Sequence, residues 1–388
     1  MNALLIALGL WGYAYVGYPI VLVIAGWRTR PRSVRKLTDD LPRVSIVLPV
    51  YNEAAVIADT LEAVLALDYP ADRRQILVIS DASTDATEAI VAGFASRGVE
   101  LASQRVRRGK TAAENAAWPR LSGDIVLCTD ASVRVHAAAV RALVAEFADP
   151  SVGVASGRDV SVSRTQSGES PGESAYVGYE MRIRDFETRA GGIVGASGCL
   201  YAIRAHLHRH VLPEALSRDF AAVLHAQLHG FRAVSVRDAI CYVPRGASLR
   251  QEYRRKVRTM TRGLGTLFYY RRLLDPRRHG MFAWMLASHK LCRWLLPWAS
   301  LAIVASLAGL APEHTLAAIA LAGIGAACAA AAATWMWPDK RPVPRLLAVP
   351  AFAVCGLIAG LHAWLRLFSR RPAPVWEPTR RDYWSTVP

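Results

Sequence analysis

Hydrophobic and polar positions divide the 388-residue chain into stretches with different periods. Residues 1–27, "MNALLIALGLWGYAYVGYPIVLVIAGW", carry no charge. At about 1.5 Å per residue, a helix of that length crosses a hydrocarbon core of about 30 Å. A cleaved signal peptide would call for a basic start, a shorter apolar core and a small-residue cleavage site, and none is evident. The segment is expected to be a transmembrane helix. From Arg43 the pattern changes to short β-branched runs alternating with helical periods. Strands are expected at 43–50, 75–80, 99–103, 124–130 and 152–160, with helices at 53–67, 83–98, 110–121 and 136–148. This alternation predicts an α/β fold: an open, mostly parallel central sheet with helices on both faces. The C-terminal third returns to apolar runs at 294–311, 315–337 and 346–365, with Trp335, Trp337 and Trp364 at interfacial positions.

Composition and charge refine this picture. Apolar residues make up 53% and charged residues 20% of the chain, yet the formal net charge is +16. The excess is concentrated beside the apolar segments, in a basic linker at 28–42 and in Pro244–Gly280, where eleven Arg/Lys face two acids. By the positive-inside rule the central region lies in the cytoplasm of a bacterial-type inner membrane. The basic residues adjoin membrane segments, which argues for a lipid bilayer as partner and against nucleic acid. The implied organisation is an N-terminal transmembrane helix (1–27), the linker, an α/β domain (43–245), a basic amphipathic interfacial region (246–280), C-terminal transmembrane or interfacial helices (281–367) and a basic cytoplasmic tail (368–388). Three C-terminal crossings would place that tail outside, and Pro344 and Pro350 interrupt the third apolar run, so 346–365 is expected not to span. The six cysteines show no zinc spacing and read as small buried side chains in a reducing compartment. His206, His208 and His210 are expected at the surface.

In open α/β sheets ligands bind beyond the carboxyl ends of the strands. Three polar clusters fall there: "PVYNE" after the first strand, "SDASTD" after the second and "TDAS" after the fourth. Each alone has a plainer reading as cap and turn residues; together they make one lip. "TDAS" presents a single carboxylate, Asp130, with Ser132 two residues on, where Asp-x-Asp would hold a divalent metal.

The ordered motifs "VSIVLPVYNE", "VISDASTDAT", "RRGKTAAENAA", "DIVLCTDAS", "DPSVGVASG", "GGIVGASGCLYAIR", "SRDF…HGFRAV" and "RRKVRTMTRG" resemble the family 2 glycosyltransferases with the GT-A (Rossmann-like) fold, in their membrane-integrated polysaccharide-synthase-like branch. The resemblance covers about residues 43–270, and the flanking apolar segments and the "VWEPTRR" tail are similar to that branch too. It implies transfer of a sugar from a nucleotide diphosphate sugar, usually UDP-linked, with inversion, to a saccharide or lipid-linked acceptor. Mg²⁺ or Mn²⁺ is the implied cofactor, and accessory export or synthase subunits are implied partners.

The chemistry needs a base for the acceptor hydroxyl, charge relief for the leaving diphosphate and a nucleotide cleft. Asp219 is the expected base, since a carboxylate within about 3 Å of the hydroxyl is competent; its plainer reading, shared with Ser217, is a helix cap. The family's acidic pair has become Arg218-Asp219, and a cation beside a base lowers its pKa, so the Arg218 side chain is expected to point elsewhere. Arg255, Arg258 and Arg262 are spaced i, i+3, i+7 on one helical face and suit phosphate, or else a lipid headgroup. The Gln-x-x-Arg-Trp signature of processive relatives is missing. The resemblance assigns Pro49, Tyr51 and Glu53 to base and ribose, and Asp81 to the pyrimidine edge with help from Ser83 and Asp85. Lys110 falls near the nucleotide. Gly195, Ser197 and Gly198 allow close approach of sugar or acceptor. Asp130 is the expected metal ligand, with Ser132 contributing a hydroxyl or holding a water. Two other readings stay open: single transfer to a polyisoprenyl phosphate, and a catalytically inactive nucleotide-binding scaffold.

Overall fold

The computed structural model describes residues 2–27, 40–162, 171–244, 248–338 and 343–369. The basic linker up to residue 39 and the "VWEPTRR" tail lie outside them. The chain divides into two compact units. One is helical and takes the N-terminal segment, 163–179 and 246–373; the other carries the sheet and takes 29–162 and 180–245.

Along the chain, α1 (Asn2–Gly12) and α2 (Tyr18–Trp27) join through a π-helical turn at Tyr13–Gly17. The sheet unit follows with β1 (Val44–Val50), α3 (Ile57–Leu65), β2 (Arg74–Ser80), α4 (Thr87–Ala92), β3 (Val99–Ser103), α5 (Lys110–Ala117), β4 (Ile125–Thr129), β5 (Arg134–Val135), α6 (Ala139–Ala145) and β6 (Val152–Val162). Next come α7 (Pro171–Ala190), β7 (Leu200–Arg204), α8 (Ala205–His208), α9 (Arg218–Leu228) and β8 (Arg232–Pro244). The helical unit resumes with α10 (Leu249–Tyr269), α11 (Pro276–Leu286), α12 (Cys292–Leu310), α13 (Thr315–Trp335) and α14 (Arg345–Phe368).

The eight strands form one sheet in the order β3-β2-β1-β4-β7-β6-β8-β5. β1 runs parallel to β2 and β4, and β2 parallel to β3. All seven residues of β1 are buried, as a parallel strand covered on both faces requires. β7 is the insertion that breaks the parallel order, antiparallel to both β4 and β6. The core gathers Ile46, Leu48, Leu61, Ile76, Val78, Leu127, Leu143 and Val152 from strands and covering helices. It fixes the strands whose carboxyl ends build the site. The observed helices are shorter than their apolar patterns suggest: α3 begins only at Ile57 because 51–56 forms a turn with Asn52 at φ 51°.

Among the described residues, four helical stretches are long and apolar enough to cross a membrane: Asn2–Trp27, Pro276–Leu310, Thr315–Trp335 and Arg345–Phe368. The expected interruption of the last one does not occur. Pro344 sits just before the first turn, and Pro350 lies inside a single 24-residue helix that continues through it at the loss of the bond to the Leu346 carbonyl. Within this unit Trp364 Nε1 donates to Trp294 O at 2.7 Å, tying α14 to α12.

Candidate functional site

The carboxyl ends of β1, β2 and β4 are cross-tied by the polar residues that follow them. Asn52 N donates to Ser83 Oγ at 3.2 Å, and Thr84 N to Asn52 Oδ1 at 2.8 Å. Glu53 N donates to Thr87 Oγ1 at 2.8 Å and Ala54 N to Asp85 Oδ2 at 3.2 Å. Asp85 Oδ1 also accepts from Thr87 N at 3.0 Å. Burial works against the ionised form of Asp85, but the hydrogen bonds from Thr87 and Ala54 outweigh it and lower its pKa. Asn52 and Ala82 both hold positive φ, 51° and 60°. Such strain in non-glycine residues persists where surrounding bonds over-determine it, as at functional edges.

Asp81 is 1% exposed. Its Oδ1 accepts from Arg108 N at 2.8 Å and its Oδ2 from Gly109 N at 2.6 Å. The carboxylate expected at the pyrimidine edge therefore fastens the loop that starts α5. Gly109 is the N-cap of that helix at φ 93°, a conformation glycine takes without a Cβ penalty. Above this loop Arg107 stacks on Tyr51, its guanidinium carbon 3.8 Å from the ring centroid, a contact that sequence patterning left unassigned. The run "RVRRGK" was its only signal. Pro49 is buried inside β1, and Glu53 is 7% exposed.

Lys110, the first residue of α5, reaches across to β4. Its Nζ donates to Asp130 Oδ1 and to Gly198 O, the latter at 2.9 Å. Burial disfavours the ammonium, but Asp130, Glu114 and Asp219 more than offset it and raise the Lys110 pKa. Asp219 stands in the first turn of α9. Its Oδ1 accepts from Ser217 Oγ at 2.6 Å, and a Cβ built on Gly198 would lie 3.3 Å from its Oδ2. Gly198 thus makes room for the carboxylate of Asp219. Arg218 turns away from Asp219 into the interior, where its Nη2 donates to His208 O at 2.6 Å and its Nη1 to Asn115 Oδ1. The sheet unit therefore assembles Lys110, Asp130, Gly198 and Asp219 in one cluster.

Other expected residues make contacts of their own. Ser197 is 1% exposed, and its hydroxyl is taken up by Asp159 Oδ1 at 2.6 Å and Cys199 N at 3.0 Å. It shapes the bend leading into β7, of which the buried Gly195 is also part. Arg255, Arg258 and Arg262 all lie on α10 of the helical unit, with Arg255 paired to Glu252 at 2.7 Å. They are not among the residues that the sheet unit brings together. His208 departs from its expected surface position: it is 2% exposed, because α8 turns it beneath β4, where its Nε2 lies 3.8 Å from Cys128 Sγ. His206 is exposed and His210 partly so. Of the cysteines, Cys128, Cys241 and Cys355 are buried, whereas Cys328 is exposed on α13.

A Mg²⁺ or Mn²⁺ ion takes oxygen ligands and needs only one or two carboxylates when substrate phosphates and water complete its shell. Asp130, with 16% of its side chain exposed and one oxygen held by Lys110, meets that minimum. Ser132 is 7% exposed, which leaves Asp130 as the accessible member of the pair.

Comparison with known proteins agrees with this geometry. Residues 45–211 match the family described as glycosyl transferase family 2. Beta-monoglucosyldiacylglycerol synthase of Synechocystis sp. is 30% identical over 158 residues, covering 39% of this chain and 33% of that protein. Poly-beta-1,6-N-acetyl-D-glucosamine synthase of Staphylococcus epidermidis is 32% identical over 116 residues, covering 29% and 28% respectively. The chain spans about a third of the length of the curated relatives it matches. Among solved structures, the mannosyltransferase PcManGT from Pyrobaculum calidifontis, in complex with GDP-Man and Mn²⁺, superposes with a TM-score of 0.70 at 24% identity, over 95% of this chain and 99% of that one. The sheet unit has a mixed α/β, GT-A-like fold, and residues 45–211 within it are similar to glycosyl transferase family 2.

Proposed function

We propose that the protein is an inverting membrane glycosyltransferase that moves a sugar from a nucleotide diphosphate sugar to a saccharide or lipid-linked acceptor, with Asp219 as general base. One observation carries the reading: the Asp219 carboxylate, accepting from Ser217 Oγ at 2.6 Å, sits against Gly198, whose carbonyl oxygen accepts from Lys110. A base and a cation are thereby set on either side of one glycine. Asp219 takes the proton of the acceptor hydroxyl as that oxygen attacks the anomeric carbon, and the bond from that carbon to the diphosphate oxygen breaks on the opposite face. The Asp219 carboxylate must be ionised to do this. Lys110, kept protonated by its carboxylate neighbours, supplies fixed positive charge for the departing diphosphate. Asp130 would hold a divalent metal, which when bound neutralises diphosphate charge.

Tyr51 and Arg107, a stacked aromatic–guanidinium pair at the lip, suit the base of the nucleotide, with Pro49, Glu53 and Ser83 shaping the turn beneath. The apolar helices and the basic segments beside them support a bacterial-type inner-membrane protein with the sheet unit on the cytoplasmic side, where nucleotide sugars are available. Relatives named for glycolipid and polysaccharide synthesis support the choice of acceptor class. The test is nucleotide release from purified protein across UDP-, GDP- and dTDP-sugars, with candidate acceptors, with and without Mn²⁺ or EDTA. Asp219→Asn should abolish transfer while preserving the fold, and Asp130→Asn should abolish the metal-dependent part. Full transfer by Asp219→Asn would refute the assignment of the base.

A further inference from the structure

Beneath the Lys110–Asp130 pair lies a buried carboxylate with no role in the reaction as derived. Glu114, on α5 one turn after Lys110, is 0% exposed. Its Oε1 is 3.9 Å from Lys110 Nζ and its Oε2 is 3.5 Å from Arg218 Nε. The Tyr201 hydroxyl donates to the same Oε2 at 3.2 Å. Burial pushes the Glu114 pKa up and its two cations pull it down; ionised between them, it makes charges alternate along one line through the sheet unit: Asp130 negative, Lys110 positive, Glu114 negative, Arg218 positive. One end of the line is the carboxylate at the exit of β4. The other is the first residue of α9, immediately before Asp219.

From this geometry we infer that Glu114 is a positioning residue, which holds Lys110 against Asp130 and Gly198 O and anchors the start of the helix that carries Asp219. A charge buried away from water is retained only when paired, and each oxygen of Glu114 faces a different cation. Removing the carboxylate leaves the buried Arg218 without its anion and Lys110 with Asp130 alone, and the arrangement must open. Arg218 fits the same scheme: its bonds to Asn115, His208 O and Glu114 pin the N-terminus of α9 from below.

A second reading of the same residues is a metal centre. Glu114, Cys128 and His208 place an oxygen, a sulfur and a nitrogen within 4.8 Å of one another, the one such trio among the described residues. Charge decides against it. The four-residue line is already balanced, and a dication would enter beside Lys110 and Arg218, both close to Glu114. Burial also pushes the Cys128 thiol up, away from the thiolate that a soft metal needs.

The inference rests on the proposed transferase reading, and its test separates the two. Glu114→Gln combined with Arg218→Met removes one anion and one cation together, and leaves an acceptor for Tyr201. Thermal stability should stay within a few degrees of the parent. Transfer should fall at least tenfold in kcat. The loss should fall on kcat with donor KM held, the split expected when a charge is misaligned at the transition state. A merely structural Glu114 would give parental kcat once stability is restored, and that result overturns the inference. If the double variant does not fold, Glu114→Asp, which keeps the charge but draws it back by one methylene, should lower kcat with donor KM held, and parental kcat there is equally fatal. If the parent turns over no donor, the transferase reading fails. A crystal structure of the variant still decides the inference: Lys110 Nζ leaving Gly198 O supports it, and Lys110 remaining on both Gly198 O and Asp130 overturns it. One equivalent of zinc in protein purified without chelator would also overturn it, in favour of the metal centre.

Discussion

Substituting alanine at Gly198 tests the catalytic assignment of Asp219 through the smallest available perturbation. A Cβ built there would meet only Asp219 within 4 Å, at 3.3 Å from Oδ2 and 3.7 Å from Cγ. Gly198 is absent from the glycines with positive φ, so alanine imposes no backbone strain. The single consequence is pressure on one carboxylate, which must yield by about three tenths of an ångström to reach ordinary contact. A misplacement of about 1 Å at a reacting group costs on the order of 10²-fold, or ~2.7 kcal/mol. Three tenths of that is about 0.8 kcal/mol, a roughly fourfold fall in kcat. The assay is steady-state nucleotide release with saturating donor and acceptor, beside a thermal melt. Unchanged melting with a severalfold lower kcat and an unaltered donor KM is the expected pattern. If kcat is kept while a crystal structure shows Asp219 displaced, the position of this carboxylate does not matter to the rate, and its role as base is refuted.

Two further outcomes follow from the geometry. Asp81→Asn loses charge-assisted bonds to one buried and one part-buried N–H group, and should cost about 2 kcal/mol of stability by denaturant titration; an equally stable variant with lost donor binding would instead make Asp81 a nucleotide contact alone. His225, depressed to about 4 by burial and then by His210, His229 and Arg218, takes up its proton more readily unfolded than folded. Stability is therefore unaffected by this group above pH ~6.5 and falls as pH drops from there towards about 4, by about 1–2 kcal/mol after allowance for its partial exposure. Melting temperatures between pH 7 and 4.5 should show that slope, and His225→Gln should flatten it; an identical slope in the variant would remove His225 as its source.

Periodicity alone determined a good deal here. The continuous apolar run of β1 and the alternation after it specified a covered parallel sheet, because a strand buried on both faces has no polar side to show. The uncharged segments were equally plain, since their length has a fixed relation to a bilayer. Polar residues after β1, β2 and β4 marked the lip, because strand ends are where a parallel sheet exposes its loops. What the sequence did not contain was the pairing of those residues. Asp81 reads as a nucleotide contact, and only the fold shows that its two oxygens also accept from backbone N–H groups of a loop 27 residues later. Ser197, read as a small residue beside the acceptor, proves to be a hydrogen-bonded bend. Pro350 suggested a broken segment, whereas α14 continues through it. Glu114 gave no sign of itself within an alanine-rich helix, since a buried charge is stable only with partners that α9 and β7 supply from about a hundred residues away. The single carboxylate of "TDAS" shows the division most clearly: sequence placed Asp130 at a strand end, but tertiary structure gave it Lys110. Short-range pattern sets which residues reach an edge. Long-range packing alone decides which charges meet there, because burial makes an unpaired charge too costly to keep.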